Sequence, residues 1–293
     1  MLLKGKNIVI TGSGRGIGRA VALACAKEGA NIGLTSRTLE QLNNVKKEIE
    51  ELGTGVKIVV KAADITIYEE VEKIFTEFSE ELGLLNGVIA NAGRSWMESA
   101  HEVDPEKFAM VINVNILGVF HTFKAAYPYL KKDNKKDKAR FIITGSAVYP
   151  SVMGRFSSYT ASKYGVVGLQ RELATEYKKE NINVNMILPM QVDTKMLRGR
   201  RAGDGNKPPN VLNPEDLNDY YLFVLSDYGN RVNDELIYPS SFEAMKMIIM
   251  ETPEEQKENW DIFKEFLENK SPNLYKDVKK LGKLGEFILN QSK

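Results

Sequence analysis

From residue 6 to about 190, short β-branched runs alternate with longer segments whose apolar residues recur at helical spacing. A parallel sheet with crossover helices produces this switching of period. It predicts strands at Asn7–Thr11, Asn31–Ser36, Val56–Ala62, Gly87–Asn91, Arg140–Thr144 and Asn183–Leu188, with a last one at Glu235–Tyr238. Helices are expected at Gly16–Glu28, Leu39–Leu52, Ile67–Leu82, Pro105–Leu130, Ser158–Lys179 and Pro214–Leu225. The fold class is therefore α/β, a doubly wound, Rossmann-type parallel sheet of seven strands.

Three segments depart from the alternation. Lys131–Lys138 (KKDNKKDK) is a solvated charge run in front of a strand. Residues 198–214 are rich in Gly, Pro and Asn and read as a mobile loop, either a substrate lid at the crevice or a surface excursion. Residues 241–293 lose strand signals. There Thr252, Pro253 and Glu255 make a helix start, and Trp260, Phe263, Phe266 and Leu267, then Leu274, Val278, Leu281, Leu284 and Ile288, form apolar stripes. The expected organisation is one domain over 1–240 with a helical extension, 241–293, packed on it.

Composition narrows the function. With 40 Lys+Arg against 39 Asp+Glu, the net charge of +1 gives no electrostatic reason for a nucleic-acid or anionic-membrane partner. A single Cys25 rules out an internal disulfide, and with His101 and His121 it is too little for a Cys/His zinc site, leaving only carboxylate-ligated Mg or Ca open. Cys25 and both histidines read as packing or surface residues. Lys4 and Lys6 interrupt any signal-peptide core, and the longest greasy stretch, Met110–Phe120, carries Asn113 and Asn115. No membrane span is expected, and the reading is a soluble protein of the reducing cytoplasm.

The first strand runs into Thr11-Gly12-Ser13-Gly14-Arg15-Gly16-Ile17-Gly18. Glycines here permit positive φ and let backbone approach a pyrophosphate at the N-terminus of the next helix. No Lys-Ser/Thr follows, which excludes a Walker P-loop. After the second strand stands Ser36-Arg37-Thr38, where NAD-specific sites carry an acid for the ribose 2′-hydroxyl. Arg37, with Arg15, suits a 2′-phosphate instead, so NADP(H) is expected over NAD(H).

Tyr159-Thr160-Ala161-Ser162-Lys163 opens a helical segment, and i, i+4 spacing makes Tyr159 and Lys163 neighbours. A free Tyr titrates near 10; bringing it into the range 7 to 8 takes roughly 3 to 4 kcal/mol, and a cation about 4 Å away at an effective dielectric of 20 supplies about 4. Lys163 is thus expected to lower the Tyr159 pKa. Ser146 lies 13 residues earlier (159 − 146), just past a strand at the crevice edge.

Together these motifs resemble the short-chain dehydrogenase/reductase family over about residues 5 to 240: TGxxxGxG at Thr11–Gly18, Asp64 in Ala-Asp-Ile after the third strand, NAG at Asn91-Ala92-Gly93, Asn115, Ser146, YxxxK, and Pro189 with Thr194 after the sixth strand. The resemblance implies that Tyr159 is the general acid/base, that Ser146 holds the substrate oxygen, that Lys163 binds the nicotinamide ribose and that Asn115 supports a proton-relay water. It implies cofactor contacts at Gly12, Ser13, Arg15, Gly16, Ile17, Gly18, Ser36, Arg37, Asp64, Ile65, Asn91, Ala92, Gly93, Pro189, Val192 and Thr194, with Asp64 and Ile65 near adenine, Asn91 on the adenosine side and Thr194 near the carboxamide. It also implies a small carbonyl or alcohol substrate, and a homodimer or homotetramer through the helices holding Asn115 and Tyr159. Three positions depart from the family: Ala90 for the first Asn of NNAG, Thr144-Gly145 where a first Ser is frequent, and Pro189-Met190 for Pro-Gly. The rival reading is a catalytically idle dinucleotide-binding regulator, against which the full Asn-Ser-Tyr-Lys set argues. An epimerase or dehydratase using the same Tyr-Lys pair is disfavoured by the short glycine spacing. Tyr149, Phe156, Met190 and Met196 flank the site, as pocket lining or as core.

Overall fold

A computed structural model describes residues 1–132 and 137–239, and beyond them only 265, 268 and 269. The helix start at Thr252, the apolar stripes of the 241–293 extension and the middle of the KKDNKKDK run lie outside the described residues. Seven strands form one sheet: β1 (Asn7–Thr11), β2 (Asn31–Ser36), β3 (Ile58–Ala62), β4 (Gly87–Ala90), β5 (Ala139–Thr144), β6 (Ile182–Ile187) and β7 (Leu236–Ile237). Every pairing is parallel, in the order β3-β2-β1-β4-β5-β6-β7. The chain winds outward from β1 to β3 and then returns to the other side of β1, so the order reverses between β1 and β4. Ligand crevices open at the carboxyl ends of strands at such a switch point.

The two-residue period of the strands sends Ile8 and Ile10 to one face and Val9 to the other. The first face packs on α1 (Gly16–Lys27), α2 (Leu39–Glu51) and α8 (Asn218–Leu225) through Val21, Cys25, Leu42, Ile49 and Tyr221. The second packs on α3 (Tyr68–Leu82), α5 (Gly118–Ala126) and α6 (Ser157–Glu176) through Phe75, Phe78, Phe123 and Val166. Both faces are covered, which explains why the strands read as nearly unbroken apolar runs.

The expected single helix from Pro105 to Leu130 is instead α4 (Pro105–Ile112), one π turn over Asn113–Leu117, α5 and a closing 3-10 turn. Asp104 caps its start, accepting from the Glu106 N–H at 2.7 Å, with Pro105 at the first position. The widened turn turns Asn115 inward, to 1% exposure. By length and apolar composition alone, Pro105–Tyr129 is able to cross a bilayer, which corrects the expectation that no segment qualifies. Here, however, its inner side belongs to the sheet core through Val119, Phe123 and Ala126, and Val111 is buried as well. The loop expected at 198–214 is partly ordered, with a short α7 (Lys195–Arg198) leading into it and a 3-10 turn at Gly199–Arg201.

Candidate active site

The glycine turn after β1 has a cofactor-shaped bareness. Gly12 and Gly16 hold φ of +67° and +54°, which side-chain-bearing residues rarely adopt. A Cβ on Gly12 would lie 2.8 Å from Ala92 Cα, and one on Gly18 would lie 2.4 Å from the Gly12 carbonyl oxygen. Arg15, the residue before α1, offers no side-chain cap, so the first amides of a 12-residue helix face the turn uncapped. The Ser36 hydroxyl is buried without a hydrogen-bond partner among the described residues and sits 3.1 Å from where a Cβ on Gly14 would be. An orphaned donor beside a bare turn fits the ribose end of a dinucleotide. Ile17 is half-buried in the first turn of α1. Ser13 does different work: fully buried, it directs its N–H (3.2 Å) and hydroxyl (3.3 Å) to the Thr35 carbonyl, knitting β1 to β2.

Asn91 fastens this turn to the next two strands. Its amide donates to the carbonyls of Thr11 (3.0 Å) and Gly12 (3.2 Å), and its Oδ1 accepts from the Thr144 hydroxyl at 3.3 Å. The Thr11 hydroxyl accepts the N–H groups of Asn91 and Ala92, each at 3.1 Å. Thr144 in turn shares a 2.7 Å hydrogen bond with the Tyr221 hydroxyl. Tyr221 escapes sequence reasoning, because its contact spans 77 residues and it belongs to no local motif, while Thr144 shows there only as a departure from the family's serine. Gly93 borders the other wall, where a Cβ would meet Asn115 Oδ1 at 3.4 Å and Met196 Cε at 3.9 Å.

Beyond β5 and at the head of α6 the three reactive side chains come together. Ser146 is buried, its Oγ accepting from the Val148 N–H at 3.3 Å. Tyr159 is half-buried; burial pushes its phenol above the usual value, while hydrogen bonding with Ser146 pulls the other way. Lys163 is buried, with its Nζ 5.6 Å from the Tyr159 ring centroid, donating to the Thr144 carbonyl at 2.9 Å. Desolvation brings its ammonium down to about 8. The lowering expected from the lysine does not set the direction of the tyrosine's shift, in which burial leads. The ammonium donates to the Thr144 carbonyl, and desolvation, which disfavours both charged forms, is the leading influence on each group.

Asn115 acts here through its side chain as a clamp. Its amide donates to the Arg94 carbonyl and to Ser162 Oγ, both at 2.8 Å, and its Oδ1 accepts the Arg94 N–H at 2.8 Å. Ser162 passes the connection on by donating to the Tyr159 carbonyl at 2.7 Å. Asn115 thus ties the loop after β4 to the first turn of α6. Ser162, which lies inside YxxxK, is a support the motif does not single out.

The remaining sequence-derived positions lie on the turn before α1 and on the segments after β2, β3 and β6. Arg37 and Arg15 are exposed, and Arg37 makes a 3.7 Å ion pair with Asp64. Thr66 N–H and hydroxyl bond Asp64 Oδ1 at 2.9 and 2.7 Å, and these bonds together with Arg37 hold its carboxyl below the usual range against the effect of burial. Ile65 is buried against Gly118, where a Cβ would come within 2.4 Å of its Cδ1. Pro189 accepts the Ala147 N–H at 2.9 Å, Val192 is buried in a bridge with Leu212, and Thr194 Cγ2 lies 3.1 Å from a Cβ placed on Gly16.

Between Val192 and Thr194 the sequence reading missed Asp193. Its nearly buried carboxylate pairs with Arg198 at 3.2 Å and accepts the Gly203 N–H at 3.1 Å, while Arg198 also reaches Asp204 at 2.8 Å. The turn at Gly199 (φ +57°) makes this latch, so no periodic signal announces it. Arg198→Gln leaves Asp193 buried without its cation. Trypsin cleavage after the exposed Arg201 is expected to rise roughly tenfold through local opening; an unchanged digestion rate would show that the latch does not hold the loop.

A parallel sheet in this order, with a bare glycine turn at its switch point, defines a Rossmann-type dinucleotide-binding protein. Residues 6–205 match the family model for short chain dehydrogenase. The chain belongs to the short-chain dehydrogenase/reductase family, whose members are oxidoreductases that bind nicotinamide dinucleotides. It is 31% identical over 192 residues to a 3-dehydrosphinganine reductase of Arabidopsis thaliana, covering 66% of this chain but only 56% of that protein's length. It is 32% identical over 209 residues to (-)-trans-carveol dehydrogenase of Rhodococcus erythropolis, covering 67% of this chain and 74% of the relative. The solved structure of a short chain dehydrogenase from Burkholderia cenocepacia in complex with NADP superposes with a TM-score of 0.73 at 26% identity, over 81% of this chain and 97% of that one.

Proposed function

We propose that the protein is an NADP(H)-dependent oxidoreductase of a ketone/secondary-alcohol pair. The observation that carries this reading is the convergence of Ser146, Tyr159 and Lys163 at the carboxyl ends of β5 and β6, beside a glycine turn shaped for a pyrophosphate. When bound, the nicotinamide supplies the hydride. In reduction Tyr159 gives its phenolic proton to the substrate oxygen, and the Ser146 hydroxyl donates a second hydrogen bond to that oxygen as charge develops on it. A phenol is protonated at neutral pH, so Tyr159 enters this direction carrying the proton it gives. Lys163 is positioned by Thr144 to hold the nicotinamide ribose and to stabilise the tyrosinate left behind. Asn115 keeps the loop carrying Arg94 and the head of α6 in register. Loss of NADPH absorbance on addition of carbonyl compounds tests the reading; failure across a broad panel, with ligand-dependent capture of a partner instead, would favour a regulatory protein.

Ser36 and Arg37 support the preference for NADP(H). Among the described residues the Ser36 hydroxyl is buried without a partner, and Arg37 is an exposed fork in a solvent-screened ion pair with Asp64. Arg37→Asp is expected to shift the ratio of kcat/KM for NADPH over NADH by about tenfold or more toward NADH, the price of losing one charge-assisted contact. An unmoved ratio removes Arg37 from cofactor selection. Residues 1–240 form the catalytic unit on this reading. The exposed Leu117, Phe120 and Tyr164 on the helices of Asn115 and Tyr159 support assembly as a homodimer or homotetramer, to be read by sedimentation.

A further inference from the structure

The large apolar side chains left in water are unevenly distributed. Among the described residues, Met1 stands at the chain start, Leu39, Leu52, Ile67 and Leu84 near the ends of α2 and α3, and Leu117, Phe120 and Tyr164 along the helices of Asn115 and Tyr159. Six others share the loops that carry the reactive groups: Met97 (60% exposed) after β4, Val152 (72%) and Met153 (47%) after β5, and Met190 (54%), Met196 (48%) and Leu197 (45%) after β6. These loops are joined to one another and to the site. The Glu98 N–H donates to the Arg155 carbonyl at 2.8 Å, and Glu98 and Phe156 form a parallel bridge, which brings the Met97 loop beside the Met153 loop. The Phe156 ring stands edge-on to Tyr159 at 6.2 Å. Met196 borders Gly93 and Asn115, and Met190 directly follows Pro189, whose carbonyl anchors the Ser146 loop.

Exposed apolar groups concentrated at a site, rather than scattered, mark a surface that something apolar covers. Four of the six are methionines, unbranched and polarizable side chains that mould to irregular shapes. From this grouping we infer that the substrate carries an extended apolar body beyond its reacting carbon, and that Met97, Met153, Met190 and Met196 grip it. The inference rests on the oxidoreductase reading and deepens it. The occupant is the substrate, because the patch is continuous with the Ser146 and Tyr159 groups that would act on it.

The test uses the full-length protein with NADPH and a series of linear methyl ketones from butanone to dodecanone. All are neutral, so the cations Arg94, Arg155 and Lys195 of these loops add no charge pairing. The expected result is a rise in kcat/KM of about two- to fourfold for each added methylene over the series, the fold-change that burying a methylene gives. Met97→Gln combined with Met190→Gln is expected to reduce that increment by about half, and Leu84→Gln, remote from the site, to leave it unchanged. Turnover that does not vary with chain length overturns the inference while sparing the oxidoreductase reading. So does a Met97→Gln/Met190→Gln protein that falls to a smaller assembly with the chain-length dependence unaltered, since the patch would then be a contact between copies. If no ketone is reduced, the oxidoreductase reading fails by itself, and calorimetry on the same series decides the apolar claim: dissociation constants that tighten with chain length support it, and equally weak binding overturns it.

Discussion

Tyr159→Phe is expected to lower kcat for carbonyl reduction by roughly a hundred- to ten-thousandfold, the usual range for loss of a positioned general acid, with NADPH affinity kept. The substitution removes one hydroxyl and leaves the ring, which continues to pack edge-on against Phe156 at 6.2 Å. On the proposed mechanism the phenol is the proton source, protonated at neutral pH and beside Ser146, which would hold the substrate oxygen. Steady-state rates with NADPH and titration of cofactor binding by fluorescence separate the two effects. A Tyr159→Phe protein that keeps its rate means that another group gives the proton. A protein that loses NADPH binding in proportion to its rate means that the hydroxyl serves the cofactor and not the chemistry.

Lys163→Met is expected to abolish turnover and yet to stabilise the protein in the absence of cofactor. Lys163 is buried and its ammonium is brought down to about 8 by desolvation alone. Its pKa is lower folded than unfolded, so between about 8 and the ordinary lysine value the unfolded chain holds more protons and stability rises with pH. Below about pH 8 the full penalty is present, on the order of 3 kcal/mol. Methionine removes that penalty and forgoes the hydrogen bond to the Thr144 carbonyl, worth about 1 kcal/mol. A net gain of about 2 kcal/mol corresponds to a Tm increase of about 4–8 °C for a domain of this size. Calorimetry of both proteins at pH 7 and pH 9 checks the sign: the advantage of Lys163→Met should shrink at the higher pH. A fall in Tm at pH 7 would mean that the ammonium is solvated or paired well enough to be net stabilising. Retention of a destabilising charge at this place is what a site that needs a cation near its acid requires.

The fold was largely legible because its signals are local. The β-branched runs, their interleaving with amphipathic segments, and the glycines before α1 announce a doubly wound sheet, and all seven expected strands are present within two residues. The long helix over 105–130 was legible as a helix but not as a broken one. The π turn at Asn113–Leu117 follows from the burial of Asn115 against Arg94 and Ser162, the latter 47 residues away. The Asp193–Arg198–Asp204 latch was read as a mobile loop, since composition reports Gly and Pro but not which charges the turn at Gly199 brings together.

The sequence by itself determined which chemistry is on offer: a phenol, an ammonium one helical turn later, a serine past the preceding strand, and a bare turn ahead of a helix. Those identities and spacings survive in any fold that keeps the local elements. Only the tertiary structure decided the protonation behaviour of the set. Spacing brings Lys163 within a turn of Tyr159, but the packing of β5 gives the ammonium to the Thr144 carbonyl and removes both groups from water. A pKa depends on the dielectric and on the partners around the charge, and these are supplied by residues distant in the chain. For the same reason the methionines of three separate loops come to one edge of the sheet only when β4, β5 and β6 lie side by side.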